Sequence, residues 1–282
     1  MIHIILLFLA GNLLSGGEKV QHTIPPLTLH IAPLTQPIEK RVVLSADAAM
    51  VMDVESGAIL YKKNIHKKRP IASLTKLMTA LLTVERTRDD DVVRVSQRAY
   101  AAPGSQMHLL ANERVYAKNL LMGLLIRSAN DAAIALAEHI SGTEEAFVVE
   151  MNRKARQMGL FDTQYKNAHG LDAEGAYSSA FDVTLLAKRL IANAKVREIV
   201  RQKEATITDV NKKIIHKVQT TNWLLSSPFP VYGVKTGTTE KAGQCFVALV
   251  KVRGREYLIT VLGSTRRFSD TKALLWALME GG

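Results

Sequence analysis

The chain predicts a mixed α/β fold: one antiparallel sheet built from both ends of the sequence, with helices on its faces and a helical subdomain. Three observations carry that expectation. Paired runs of strand character flank glycine-containing turns near each end. The stretch between them carries apolar residues at helical spacing. With 282 residues, 47% of them hydrophobic and 22% charged, the chain can bury a substantial core, as one large domain or two modest ones. Strands at both ends with helices between are satisfied most economically by one sheet with a helical cluster packed against it.

The elements follow in order. Ile2 to Ala10 is almost wholly apolar and Gly11 to Gly17 adds small residues, which together resemble a secretory signal over residues 1–17. The apolar run is shorter than the roughly 20 residues that a membrane helix needs. It carries no cysteine for a lipid anchor. Export to the periplasm or cell-wall space is expected, with membrane attachment only if the segment stays uncleaved. Pro25, Pro26, Pro33 and Pro37 keep residues 18–41 extended as a linker. The folded domain is expected over 42–282. Ala49–Asp53 and Ala58–Tyr61 flank Glu55-Ser56-Gly57 as a hairpin. Pro70 precedes a helix that opens near Ser73 and ends before the acidic run Asp89–Asp91, a solvated loop. Lys118–Arg127 and Asp131–Ile140 predict two helices, the second stopped by Gly142, and Thr143–Met158 a third. Ser179 with Asp182 resembles a capping box opening a helix to about Ala192. Short, mixed segments run to about Asn222. Val231–Gly237 is a strand, Cys245–Val252 and Tyr257–Leu262 form a second hairpin, and Phe268–Met279 closes the chain as a helix.

Charge and cysteine content narrow the possibilities. A net charge of +11 suits an anionic surrounding such as a membrane surface, nucleic acid or an acidic cell-wall polymer. No basic run is interleaved with aromatics, which argues against nucleic acid as a partner. The single cysteine, Cys245, excludes an intrachain disulfide and is expected to be a buried small hydrophobe. The histidines show no His-Glu-x-x-His or other metal spacing, so neither metal nor cofactor is expected. His169 is expected to be a structural hydrogen-bonding residue in a loop.

Chemistry concentrates at Ser73-Leu74-Thr75-Lys76. At this spacing a hydroxyl and an amine share one helical face, one turn apart. A serine is a weak nucleophile until a base lies within hydrogen-bond reach, and a lysine can be that base if burial or a second cation keeps it neutral. The pair alone is weak, because Ser269-Asp270-Thr271-Lys272 repeats the pattern by chance. It gains meaning from Ser128-Ala129-Asn130 and Lys235-Thr236-Gly237, which follow in order and occur once each. Each of those alone is most often a helix junction or a strand end. Together the three form the set shared by β-lactamases and penicillin-binding proteins. No Gly-x-Ser-x-Gly elbow is present.

With all three elements in order, the chain resembles the D-alanyl-D-alanine carboxypeptidases, low-molecular-mass penicillin-binding proteins of the serine-peptidase type. The likeness extends to Ala48–Asp53, Arg69–Lys76, His169–Ala173, Tyr177–Ala180 and Lys235–Thr238 with Lys241-Ala242-Gly243, over roughly residues 42–279. It implies a β-lactamase/transpeptidase-like catalytic domain over 42–282, in a form like the short, single-domain members. Thr238 stands where some relatives have histidine, a departure that bears on substrate preference.

The resemblance also implies roles. Ser73 would attack the carbonyl between two D-alanines, Lys76 would take its proton, and Ser128 would relay it to the departing nitrogen. Asn130 would hold the substrate amide and help fix Lys76. Lys235 and Thr236 would face the terminal carboxylate, with Arg267 as its further partner. Gly237 would let the strand approach the substrate. The backbone N–H groups of Ser73 and Thr238 would form the oxyanion hole. No Glu-x-x-Leu-Asn supplies a separate deacylation base, so Lys76 would serve both steps. The implied substrate is a peptidoglycan pentapeptide, trimmed by a carboxypeptidase, or crosslinked stem peptides, cut by an endopeptidase; β-lactams would be covalent inhibitors. A β-lactam sensor and a β-lactamase are the remaining alternatives.

Overall fold

A computed structural model describes residues 42–280. The expected signal (1–17) and linker (18–41) lie outside the described residues. The first expected hairpin is β1 (Ala48–Asp53) with β2 (Ile59–Lys63), closed by a turn in which the Asp53 carboxylate accepts from the Ser56 N–H at 2.8 Å. A 3-10 turn, Ala72–Thr75, then runs into α1 (Lys76–Arg86). The α-helix expected to open near Ser73 thus begins three residues later, and Ser73 itself sits in the tighter turn, where side chains three apart eclipse.

The middle of the chain is helical, with small hairpins between. β3 (Val92–Arg94) pairs with β4 (Arg114–Tyr116) around α2 (Gln97–Tyr100). α3 (Ala117–Ile126) leads through the Ser128 loop to α4 (Asn130–Ser141), which ends at Gly142 with φ +81°. α5 (Glu144–Gln157) is capped by the Thr143 hydroxyl. α6 (Ala180–Ile191) is capped by Ser179, whose hydroxyl accepts from the Asp182 N–H at 3.1 Å. The reciprocal half of the expected capping box does not form among the described residues. The Asp182 carboxylate instead accepts from the Asp162 N–H at 2.8 Å and the Thr163 hydroxyl at 2.7 Å, which ties the preceding loop down.

The region expected as mixed segments forms α7 (Ala194–Val200) and a hairpin of β5 (Glu204–Thr208) with β6 (Ile215–Gln219). β7 (Val231–Thr239), β8 (Gly243–Val252), β9 (Arg255–Ser264) and α8 (Arg267–Glu280) complete the chain.

The main sheet has five antiparallel strands in the order β2-β1-β9-β8-β7, so the two chain ends meet where β1 pairs with β9. Both faces are covered. Along β1, Ala48, Met50 and Met52 pack into the cluster with α1 and α6, while Ala49 and Val51 pack into the cluster with α8. That is the period of two with an apolar partner on each side. α4 lies at the centre of the helical subdomain, against α2, α3 and α5, and its row of alanines lets those neighbours approach closely. Among the described residues no helix is long and apolar enough to cross a membrane.

Candidate active site

The floor of the site is the turn that carries Ser73. Ala72, just before it, has φ +49°, a conformation that costs a residue with a Cβ. Two glycines clamp that turn. Gly170 packs so tightly that a Cβ there would stand 2.0 Å from the Ala72 carbonyl oxygen. Gly237 of β7 packs from the other side, where a Cβ would stand 2.9 Å from the Ser73 nitrogen and 3.1 Å from the Ala72 Cβ. The glycine expected to admit substrate therefore first clears the serine turn itself. It is what lets β7 lie against Ser73.

Lys76 is fully buried, with its Nζ 3.0 Å from the Ser73 Oγ. The same nitrogen donates to the Asn130 Oδ1 at 2.6 Å and to the His169 carbonyl at 2.5 Å. Both of those partners are pure acceptors. An uncharged amine has two N–H groups and one lone pair, so the two acceptors use both hydrogens and leave the lone pair for Ser73. Burial, and then the nearby Lys235 ammonium, hold Lys76 well below the ordinary lysine range, against an upward pull from Asp131.

Asn130 opens α4 and is itself fixed from the loop before it. Its Nδ2 donates to the Pro103 carbonyl and its backbone N–H to the Ser105 carbonyl, at 2.6 and 2.7 Å. Ser128, at the junction between α3 and α4, is buried and has φ +66°. Among the described residues no hydrogen bond joins its hydroxyl to Lys76, so the expected bridge is not made in this arrangement.

β7 forms the opposite wall. Lys235 is fully buried, and its Nζ donates to the Thr236 carbonyl at 2.9 Å. Burial, and then the Arg267 guanidinium, lower it to about 7. The Thr236 hydroxyl pairs with that of Thr221 at 2.5 Å. Thr238 is exposed, and its hydroxyl accepts from Arg267, which also donates to the Gly237 carbonyl at 2.9 Å. Burial depresses the Arg267 guanidinium, and its Nε is buried with no partner among the described residues. The neighbouring Arg266 points instead toward Asp270, at 3.8 Å. The second Ser-x-x-Lys lies in α8, with Ser269 exposed on the surface.

A buried support behind Lys76 escapes sequence reading. The Glu144 Oε1 accepts from the Ala168 N–H at 2.9 Å, and its Oε2 accepts from Arg98 at 2.7 Å. This fixes the loop whose His169 carbonyl holds Lys76. The His169 ring is kept neutral, its pKa lowered to about 4 chiefly by burial. Its Nδ1 accepts from the Leu171 N–H at 3.2 Å, which agrees with the structural role expected of it. His169-Gly170 is visible in the sequence as a loop, but nothing there marks Glu144 or Arg98 as its partners. Among the described residues no group of three His, Cys, Asp or Glu side chains is placed to hold a metal ion.

The arrangement can do one kind of chemistry well: a hydroxyl faces an amine held well below the ordinary lysine range, beside a strand edge where Lys235 and, from α8, Arg267 could meet an anionic group. Comparison with known proteins agrees with it. The sequence pattern of the D-alanyl-D-alanine carboxypeptidase family matches residues 35–265. The D-alanyl-D-alanine carboxypeptidase DacF of Bacillus subtilis is 37% identical over 244 residues, covering 83% of this chain and 62% of its own length. DacC of Escherichia coli is 34% identical, covering 82% of this chain and 60% of its own length. The chain thus spans less than two thirds of the length of these curated relatives. The crystal structure of the Streptomyces K15 DD-transpeptidase superposes with a TM-score of 0.79 at 30% identity, over 84% of this chain and 97% of that one. Penicillin binding protein 6B from Escherichia coli gives 0.79 at 32% identity, over 89% and 81%. By the family pattern, these identities and the shared fold, the chain belongs to the D-alanyl-D-alanine carboxypeptidase family.

Proposed function

We propose that the chain is a serine-type D-Ala-D-Ala carboxypeptidase that removes the terminal D-alanine from peptidoglycan stem peptides. The observation that carries the reading is the buried Lys76 amine 3.0 Å from the Ser73 Oγ, with both its N–H groups engaged elsewhere.

The Ser73 Oγ attacks the carbonyl carbon between the two D-alanines while its proton passes to the Lys76 Nζ. The backbone N–H groups of Ser73 and Thr238 receive the negative charge that develops on the carbonyl oxygen. Collapse of that intermediate breaks the C–N bond. The proton passes to the leaving nitrogen, through the Ser128 hydroxyl once substrate draws that side chain into line. Water then attacks the acyl-enzyme, again with Lys76 as base, and releases the shortened peptide. Lys235, Thr236 and Arg267 hold the terminal carboxylate, and Asn130 holds the substrate amide.

β-Lactams would acylate Ser73 by the same route, because opening the ring leaves the departing nitrogen tethered in the site. The apolar residues 1–17 support export, which would place the enzyme in the periplasm or cell-wall space where its polymer lies. The test is Ser73→Ala. It is expected to abolish both release of D-alanine from a pentapeptide and covalent labelling by penicillin. Labelling that survives the substitution would remove Ser73 from the mechanism.

A further inference from the structure

The fold leaves a space beyond the carboxylate end of the candidate site that the proposed reaction does not use. An open groove of about 590 Å³ begins at Thr238 and Arg267 and runs past Arg127, Thr220, Trp223 and Gln244. Its position relative to the chemistry follows from its walls. Arg127 is the residue before Ser128, and Arg267 holds the end of β7. In the proposed reaction Ser128 serves the leaving nitrogen and Arg267 the carboxylate of the residue that leaves. The groove therefore lies on the leaving-group side.

Its size and chemistry do not fit alanine alone. A methyl side chain would leave nearly all of the groove to water. Both ionic side chains in the lining are arginines, and no acidic side chain among the described residues lines it. Trp223 is 77% exposed, an unusual state for so large an apolar surface. One ring face stacks on Phe268, with centroids 6.2 Å apart and planes 16° from parallel, which holds the indole in place. Arg127 is anchored in turn, its Nε donating to the Gln106 carbonyl at 3.3 Å. Thr220 and Gln244 add neutral hydrogen-bonding groups to the lining.

We propose that this groove is a subsite for the side chain of the leaving residue, selecting a long side chain that ends in a carboxylate. The methylenes would lie along Trp223 and the carboxylate would meet Arg127. Such a residue is a dicarboxylic amino acid in the position that D-alanine occupies in a simple pentapeptide. The inference rests on the proposed acylation of Ser73 and adds the identity of what departs from it.

The experiment compares three acylated peptides ending in D-Ala-D-Ala, D-Ala-D-α-aminoadipate and D-Ala-D-lysine. For the unaltered chain, kcat/KM for the aminoadipate peptide should exceed that for the lysine peptide by about tenfold, because the two side chains are of similar length and opposite charge. Arg127→Gln should erase that preference, and Trp223→Ala should lower the aminoadipate peptide relative to D-Ala-D-Ala. Penicillin labelling of each variant reports that the Ser73 turn is intact. Hydrolysis of D-Ala-D-Ala with equal rates for the acidic and basic peptides overturns the subsite and leaves the peptidase reading standing. The same holds if the preference survives Arg127→Gln in a variant that labels normally. Hydrolysis of none of the three peptides overturns both.

Discussion

The Gly237 Cα lies so close to the backbone nitrogen of Ser73 that a methyl group added to it would stand 2.9 Å away. The strand that carries Lys235 and the turn that carries Ser73 therefore meet in direct contact. Gly237→Ala must push them apart, because the neighbours are backbone and the Ala72 Cβ rather than the end of a flexible side chain. Separating them misplaces the Ser73 and Thr238 N–H groups relative to each other. Loss of one such donor typically costs about 10²–10³ in rate. The expected outcome is a fall of that size in the second-order rate of penicillin acylation, with circular dichroism retained. Acylation within about threefold of the parent would show that the contact is dispensable.

The two buried lysines predict a bell-shaped dependence on pH. Lys76 must be uncharged to accept the Ser73 proton, so acylation should rise with pH as that depressed group loses its proton. Lys235 must be charged to attract a carboxylate, and it titrates at about 7, so acylation should fall as pH passes through that value. The groups interact, so the two limbs belong to the pair rather than to either residue alone. Lys235→Arg separates them, because a guanidinium stays charged throughout. The alkaline fall should move up or vanish, at a lower maximum rate. A profile whose alkaline limb does not move would assign that limb to another group.

Much of this site is legible in the amino-acid sequence. Ser73 with Lys76, Asn130 and Lys235 with Thr236 and Gly237 are encoded in short runs whose spacing fixes their chemistry, and the structure brings these runs together. The main sheet is legible for a similar reason. β1, β8 and β9 are rich in β-branched and apolar residues and are bounded by glycine turns. β5 and β6 are not, because one side of that hairpin is solvated and only Ile207, His216 and Val218 are fully buried in it. β3 and β4 have three residues each, too few for a period. Long-range polar support leaves no local trace. Glu144 opens α5 as an ordinary first-turn acid, and only the fold shows its carboxylate beneath the His169 loop.

That support gives the third prediction. Glu144→Ala leaves the Ala168 N–H without its acceptor and Arg98 with Glu145 alone, and an unpaired buried donor costs roughly 1–3 kcal/mol. The loop would loosen where its His169 carbonyl holds Lys76. Glu144→Gln keeps an oxygen for Ala168 and loses the charge opposite Arg98. The ordering expected for both melting temperature and acylation rate is parent, then glutamine, then alanine. If alanine lowers stability but leaves acylation unchanged, the carboxylate braces the fold without positioning the lysine.

The loop that fixes Asn130 is gripped from the far side by a second buried pair, His216 on β6 with Glu113, at 2.7 Å. The Asp131 carboxylate holds the Met107 and Leu109 N–H groups of the same loop, at 3.2 and 3.1 Å. The hydrogen bond to Glu113, more than any other cause, raises the His216 pKa above 6.5; the Met107 carbonyl and the Asp131 charge add to it against burial. A histidine raised in the folded state contributes stability that is fully present below its unfolded value and is lost as pH rises through the folded one. His216→Gln should therefore cost most near about pH 5.5, and the gap in melting temperature from the parent should narrow toward about pH 9. The charged ring meets Glu113 as an ion pair as well as a hydrogen bond, whereas the neutral ring keeps only the hydrogen bond. A gap that stays constant across this range would mean that the ring acts by packing alone. A gap that narrows identifies the imidazolium as the clasp on the loop that supplies the Pro103 and Ser105 carbonyls to Asn130.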